Sequence, residues 1–85
     1  MKKRIGVIAI VIEERSQVNT ELNQILSKYG DIIIGRMGVP SKELGLSVIS
    51  LIVEGTPDDI GGMSGQIGNL KGVTMKSALT SKVID

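Results

Sequence analysis

The stretch "LSVISLIVEGTPDDI", residues 46–60, passes directly from a strand pattern into a helix start. Its strand part is rich in β-branched residues and apolar on both alternating faces, with Leu46, Val48 and Ile52 on one face and Ile49, Leu51 and Val53 on the other. Thr56 can cap the helix that follows, and Pro57 suits its first position. Asp58 and Asp59 favour the positive end of the helix dipole. This stretch therefore predicts a strand followed at once by a helix.

The segments before it show the same succession of strand and helix. "RIGVIAIVI" (4–12) is β-branched, bounded by charge and apolar on both faces, which predicts a covered strand. In 16–30 the apolar residues recur at helical spacing, and Ser16 is the predicted N-cap. "DIIIGRMG" (31–38) is a second predicted strand, which Pro40 is expected to stop.

The segments after it complete the pattern. A second apolar stripe runs along the helix started at Thr56, although four glycines weaken that helix and make it depend on packing. "GVTMKSAL" (72–79) predicts a fourth strand, and 80–85 a tail. The order β-α-β-β-α-β fills residues 1–85. It predicts a single α+β domain of the ferredoxin-like, ACT-like fold, with two helices on one face of a four-stranded antiparallel sheet.

The composition predicts self-association. The chain has 85 residues, of which 41% are hydrophobic, yet it contains one tyrosine, no Phe and no Trp. A chain of this size has a thin core, and aliphatic-rich small domains often complete it by oligomerising. The first and third strands are apolar on both faces, while the two helices can cover only one. We therefore expect a homo-oligomer, a dimer or a tetramer, joined through the open sheet face.

Several chemistries are excluded by residue type. The sequence has no Cys and no His, which removes thiolate and imidazole metal sites and the usual nucleophile–base pairs. Adjacent acids such as Asp58 and Asp59 point in different directions and do not form a catalytic dyad. We expect no catalytic residue, no metal and no cofactor, and hence a protein that is not an enzyme.

Charge and hydropathy bear on the partners. A net charge of +1 provides no electrostatic reason to expect nucleic acid or an anionic membrane as a direct partner. "MKKRIGVIAIVI" (1–12) has the basic start and apolar run of a signal peptide, but the run is short and ends in Glu13-Glu14-Arg15. It is also well below the roughly 20 apolar residues that span a bilayer. The sequence therefore predicts a buried strand here and a cytoplasmic protein.

One charged residue is a candidate binding group. Arg36 lies between Gly35 and Gly38, with Met37 beside it, at the end of a strand pattern. Strict alternation places Arg36 on the face of Ile32 and Ile34 and turns Met37 to the other face. Arg36 is then either an ordinary strand-end charge, which reaches into solvent or pairs with an acid such as Asp31 or Glu43, or a guanidinium at a subunit seam that binds a carboxylate or phosphate. In the second case Gly35 and Gly38 permit close approach of backbone.

The segments "RIGVIAIVIEER", "YGDIIIGRMGVP", "ISLIVEGTPDDI" and "GVTMKSAL" together resemble one known family. This family comprises small ACT-like proteins that act as iron-only hydrogenase system regulators. The resemblance covers essentially the whole chain and is most specific at "GRMG", "EGT" and "KSAL". It implies an ACT-like fold, related to the C-terminal domain of the nickel-responsive repressor, an oligomer and a regulatory role linked to hydrogenase.

The departures from these relatives limit what the resemblance implies. The nickel repressor binds metal through His and Cys and DNA through a separate N-terminal domain, and this sequence has none of these. Direct nickel sensing and direct DNA binding are therefore not expected. The expected role is that of a regulatory module acting through a small ligand or a protein partner. The alternative is a structural subunit that binds no ligand.

Overall fold

The computed structural model describes residues 2–85 and confirms the β-α-β-β-α-β order. Strand β1 (Lys3–Glu13) leads through a 3₁₀ turn (Glu14–Ser16) into helix α1 (Asn19–Lys28), and a second 3₁₀ turn (Gly30–Ile32) precedes strand β2 (Ile33–Ser41). Strand β3 (Leu46–Gly55), helix α2 (Pro57–Gly68) and strand β4 (Val73–Ile84) follow. The strands form one antiparallel sheet in the order β2-β3-β1-β4. This is the predicted ferredoxin-like arrangement.

The core lies between the two helices and one face of the sheet. Alternate residues of β1 and β3 point into it, and the apolar stripes of α1 and α2 close it from above. The members buried most completely are Ile8, Ile10, Leu51, Val53, Leu22, Ile60, Met63 and Ile67. All are aliphatic residues or methionine, so the centre of the core is packed without aromatic rings.

The start of α2 agrees with the sequence. The Thr56 side-chain oxygen accepts a hydrogen bond of 3.1 Å from the backbone N–H of Asp59, and Pro57 is the first helical residue. The glycine-rich helix is held by packing rather than by its own propensity, since Ile60, Met63 and Ile67 are buried in the core. At Gly62 an added Cβ would lie 3.0 Å from the Tyr29 hydroxyl oxygen, and that oxygen accepts a 2.9 Å hydrogen bond from Gln66 Nε2. The two helices therefore approach closely at a glycine, as the expected dependence on packing requires.

The second strand begins at Ile33 and not at the predicted Asp31, because Gly30–Ile32 form a 3₁₀ turn. Three further predicted boundaries are also wrong. Helix α1 starts at Asn19 and not after Ser16, because Gln17 has a left-handed backbone (φ 56°) that separates it from the 3₁₀ turn. Strand β2 continues through Pro40 to Ser41. Because β2 is an edge strand, a residue without an N–H is tolerated there.

The last of these boundaries is the end of the chain. The predicted tail continues β4 to Ile84, which pairs with Lys3. The ladder is irregular between Arg4 and Gly6, where the Thr80 hydroxyl donates a 2.7 Å hydrogen bond to the Ile5 carbonyl. The segment 80–85 is mostly polar, so its sequence gives no strand pattern. It is a strand because it pairs with β1, which is distant in sequence.

The sheet surface away from the helices is called the open face below. It carries Val7, Ala9, Val11, Met37, Val39, Val48, Ser50 and Ile52, from three adjacent strands. The predicted alternation of β3 is confirmed, since Ile49, Leu51 and Val53 are buried while Val48 and Ile52 are exposed. Within residues 2–85 no helix lies over the open face, and its aliphatic side chains remain in contact with solvent.

Candidate functional site

An irregularity in β2 decides where Arg36 points. Between Ile33 and Gly35 the pairing with β3 shifts by one residue, so that Ile33 lies opposite Val53 while Arg36 lies opposite Leu51. Both partners are fully buried on the helix-covered side, and directly paired residues share a face. The prediction from strict alternation that Arg36 and Ile34 share a face is therefore wrong, because a bulge resets the alternation between them.

The four predicted site residues fall on two sides of the sheet. Arg36 and Gly38 lie opposite the buried Leu51 and Ile49, on the helix side. Gly35 lies opposite Ile52 and Met37 opposite Ser50, on the open face. The structure thus does not bring the four together into one constellation. It divides them between a groove beside α1 and an apolar surface beneath the sheet.

The two glycines differ in how closely their neighbours approach. An added Cβ at Gly35 would lie 3.3 Å from Ile52 Cδ1, whereas one at Gly38 would lie 4.0 Å from Ile49 Cγ1. Neither glycine has a positive φ. Within this chain, close approach therefore holds at Gly35 and not at Gly38.

Arg36 lies in a groove between α1 and the edge strand β2, named the α1–β2 groove. Two hollows, of about 320 Å³ and 200 Å³, meet at its side chain. The first is lined by Asn23, Leu26, Ser27, Gly30, Ile33 and Arg36. The second is lined by Arg36, Gly38, Pro40 and Ser47 together with Asn19 and Ile49, among others. The groove has an apolar floor and polar walls.

The polar wall comes from one side of α1. Asn19, Asn23 and Ser27 are spaced four residues apart, which places them in one row along the helix. All three line the groove and are exposed to solvent. None of the three was predicted to be a site residue. Their spacing is visible in the sequence, but only the fold shows that this row faces Arg36.

The expected acid partners of Arg36 are not beside it. Within residues 2–85 no carboxylate lies at ion-pair distance from its guanidinium, neither Asp31 nor Glu43 among them. Arg15 behaves differently, since its guanidinium lies 3.3 Å from a carboxylate oxygen of Glu13. The reading of Arg36 as one half of an ordinary surface ion pair is therefore not supported by the geometry.

The acidic residues of the described chain form no metal centre. No group of three or more carboxylates in residues 2–85 is arranged to hold a cation. A larger hollow of about 560 Å³ lies between the end of β1 and the β2–β3 turn, where Glu13, Glu14 and Arg15 line it. Its one guanidinium is already paired with Glu13, so it offers no unpaired positive charge to a ligand.

The sequence matches the model of one protein family. A family model described as "TM1266-like: Iron-only hydrogenase system regulator, putative" matches residues 4–77. The chain belongs to this family. The match runs from the second residue of β1 to the fifth residue of β4 and includes both helices, and therefore every residue of the α1–β2 groove. No curated protein matches the sequence.

Solved structures agree with the fold of this TM1266-like protein. The uncharacterized protein TM1266 from Thermotoga maritima superposes with a TM-score of 0.89 at 30% identity, over 93% of this chain and 99% of that one. The C-terminal domain of MgtC from Mycobacterium tuberculosis gives a TM-score of 0.68 at 7% identity, over 91% and 87%. CPII, a nitrogen regulatory PII-like protein from Thiomonas intermedia, gives 0.50 at 13% identity, over 96% of each chain. The last two are similar in fold alone.

Membership of this family supports a regulatory role, in line with the expectation from the resemblance. Neither helix in the described part of the chain is long and apolar enough to span a membrane.

Proposed function

We propose that this protein is a non-enzymatic regulatory module of an iron-only hydrogenase system that works as a homo-oligomer. One ACT-like domain over residues 1–85 forms each subunit, and a small ligand or a protein partner conveys the signal. The proposed setting is the cytoplasm, with neither nucleic acid nor membrane as a direct partner. The family description and the shared fold with a nitrogen regulatory protein, CPII, support the regulatory part.

The proposed self-association rests on the exposed apolar side chains of the open face. Five of its aliphatic side chains are between 39% and 67% exposed, namely Val48, Val7, Ile52, Val39 and Met37. They lie side by side on β1, β3 and β2, so they form one continuous patch. A contiguous apolar patch of this kind is typical of an interaction surface. A second copy of the chain covers it with the same aliphatic side chains, as a two-fold interface requires.

The solvent-accessible area of one chain also supports a second copy of the chain as the partner on the open face. The chain exposes 5631 Å², whereas a folded monomer of 9.0 kDa exposes about 4,850 Å² on average. The excess is about 800 Å², which is about what each partner buries in an interface of standard size. Part of it reflects the elongated shape of the subunit, 42 × 20 × 16 Å. One isologous contact is enough to account for the remainder.

Sedimentation equilibrium of the wild-type chain and two variants tests the assembly. Ile52→Glu places a charge in the centre of the open face and is expected to yield a monomer, because two buried carboxylates would face each other across the contact. Leu44→Glu is the matched control, since Leu44 is 71% exposed in the β2–β3 turn and lies outside the open face. It should leave the oligomer intact. A wild-type chain that is monomeric at micromolar concentration contradicts the proposal.

The alternative of a purely structural subunit makes a different prediction. Such a subunit co-purifies with one fixed partner protein and binds no small molecule. The unpaired Arg36 in its groove favours the ligand-responsive module, since a scaffold has no need of an exposed guanidinium set between two hollows.

A further inference from the structure

We propose that the α1–β2 groove is a binding site for a small oxyanion, a carboxylate or a phosphate group, with the Arg36 guanidinium as its anchor. The inference rests on the proposed regulatory function and names the ligand class of that module. Nothing in the family description assigns a ligand to the chain.

The first argument is the state of Arg36. A guanidinium carries five N–H donors in a planar fork that matches a carboxylate or phosphate group. Within residues 2–85 these donors have no hydrogen-bond acceptor and no ion-pair partner. The side chain stands on the edge strand where both hollows of the groove reach it. An incoming oxyanion therefore meets the full donor capacity of the group without displacing an existing partner.

The second argument is the absence of competing negative charge in the groove. The residues that line the two hollows include no Asp and no Glu, and Arg36 is their one charged member. The hollow beside Arg15 differs, because two glutamates line it. Of these described hollows, the α1–β2 groove thus has the electrostatics that suit an anion.

The third argument is the polar row on α1. The amides of Asn19 and Asn23 and the hydroxyl of Ser27 can each donate a hydrogen bond to a ligand that Arg36 holds. Asn19 is the first residue of α1, whose N-cap position is occupied by Val18 without a side-chain cap. The helix dipole favours negative charge at this end and disfavours it near Gly30. The oxyanion should therefore lie toward Asn19, and the uncharged part of the ligand toward Ser27 and Gly30.

The size and lining of the groove restrict the rest of the ligand. The hollows, of about 320 and 200 Å³, lie at or below the lower end of the range of pockets for drug-sized ligands, about 300–1,000 Å³, which favours a small ligand. No aromatic ring lines them to stack on a nucleobase. The one tyrosine of the chain, Tyr29, is engaged with Gln66 on α2 instead. A small organic acid or phosphate ester fits these features better than a nucleotide.

Titrations followed by ¹H–¹⁵N correlation spectra test the site. Inorganic phosphate and succinate are added separately, with sodium chloride at the same ionic strength as reference. Saturable shifts are expected at the backbone amides of Asn19, Arg36 and Gly38 for at least one probe. The probe that binds more tightly distinguishes a phosphate site from a carboxylate site. Shifts that chloride reproduces, or that spread over the surface lysines without saturation, overturn the proposal.

Two substitutions sharpen the test. Arg36→Gln should weaken binding roughly tenfold or more, because charge-assisted contacts dominate the site. Arg36→Lys should give an intermediate affinity, since it keeps the charge but loses the planar fork. Arg15→Gln is the control and should leave binding unchanged, as Arg15 is already paired with Glu13. Equal affinity in wild-type protein and Arg36→Gln contradicts the assignment, as does a loss in Arg15→Gln of the same size.

These outcomes separate the site from the assembly. An oligomer that binds neither probe retains the proposed self-assembling regulator and loses the oxyanion site. A monomer that still shows saturable shifts at Arg36 retains the oxyanion site and contradicts the proposed self-assembly. If the groove instead receives an acidic segment of a partner protein, the free anions should give no saturable shifts, and the small-oxyanion proposal fails.

Discussion

Gln66 Nε2 on α2 donates a 2.9 Å hydrogen bond to the hydroxyl of Tyr29, the residue that follows α1. The same hydroxyl lies over Gly62. A single oxygen atom thus joins the two helices and occupies the space that a side chain at residue 62 would need. The contact adds to the core packing of Ile60, Met63 and Ile67 in holding a helix with several glycines. It also makes the effects of substitutions at Tyr29 and Gly62 interdependent.

We expect Gly62→Ala to have opposite consequences in two backgrounds. In Tyr29→Phe the hydroxyl is gone and the next atom, Cζ, lies at an ordinary 3.8 Å. Alanine should then raise the free energy of unfolding by about 1 kcal/mol through helix propensity. In the wild-type background the added Cβ must displace the hydroxyl from 3.0 Å and strain its bond to Gln66. The gain there should be lost or reversed.

Urea denaturation of the four proteins of this cycle measures the coupling, which should be about 0.5–1.5 kcal/mol. Gly61→Ala is the matched control, since an added Cβ there meets nothing within 4 Å. It should stabilise both backgrounds equally. A Gly62→Ala gain that does not depend on residue 29 would show that the hydroxyl does not constrain α2.

Gly72 should tolerate substitution less well than Gly45. It has φ 80°, and a Cβ added there would collide with the Cβ of Ser16 in the β1–α1 connection. Gly45 has φ 65° with open space around it. Gly45→Ala should therefore cost only the left-handed strain, about 1–2 kcal/mol, and Gly72→Ala clearly more. Thermal unfolding monitored by circular dichroism compares the two. Equal losses would show that Ser16 moves away without cost.

The predicted and observed folds agree wherever one segment carries its own signal. Strand β3 runs over Leu46–Gly55 as predicted, because its residues are apolar on both faces and the capped start of α2 follows immediately. The disagreements have one local and one distant cause. The left-handed Gln17 delays α1, and pairing with Lys3 at the far end of the sheet extends β4 to Ile84.

The candidate site was predictable only in part. Arg36 stands out in the sequence as a charge between glycines, and that position was identified. The opposite directions of Arg36 and Met37 were predicted correctly. The shared face of Arg36 and Ile34 was wrong, since the bulge between Ile33 and Gly35 cannot be inferred from alternation alone. The polar row of Asn19, Asn23 and Ser27 has an ordinary surface pattern until the fold sets it against β2. A groove between two elements depends on their packing, which local sequence does not specify.

Thr56 was identified correctly from the sequence, and its contribution can be measured. Thr56→Ala should lower the free energy of unfolding by about 1 kcal/mol, because the N–H of Asp59 loses its acceptor at a nearly buried position. Thr56→Ser keeps the oxygen and should recover most of the loss. Thr20→Ala, on the exposed face of α1, is a control that should not destabilise the protein. Chemical denaturation distinguishes these outcomes, and a neutral Thr56→Ala would exclude a capping role.

The division of β2 between two surfaces yields a prediction about neighbouring residues. Met37, 67% exposed on the open face, and Arg36, on the groove side, are adjacent in sequence but point to opposite sides of the sheet. Met37→Asp should dissociate the oligomer, because it introduces charge into an apolar contact. It should leave the affinity for phosphate or succinate within about twofold, provided that the groove is complete in one subunit.

Arg36→Gln should give the converse result, with weakened anion binding and an unchanged sedimentation coefficient. Both variants replace side chains that are exposed in one subunit. Arg36→Gln should keep a free energy of unfolding within roughly 0.5 kcal/mol of wild type, whereas Met37→Asp should lose the stabilisation that assembly confers at the same subunit concentration. Measuring sedimentation and titration on the same samples decides the matter. If Met37→Asp abolishes binding as well, the groove is completed by the second copy. If Arg36→Gln dissociates the oligomer, Arg36 belongs to the contact between subunits and not to a ligand site.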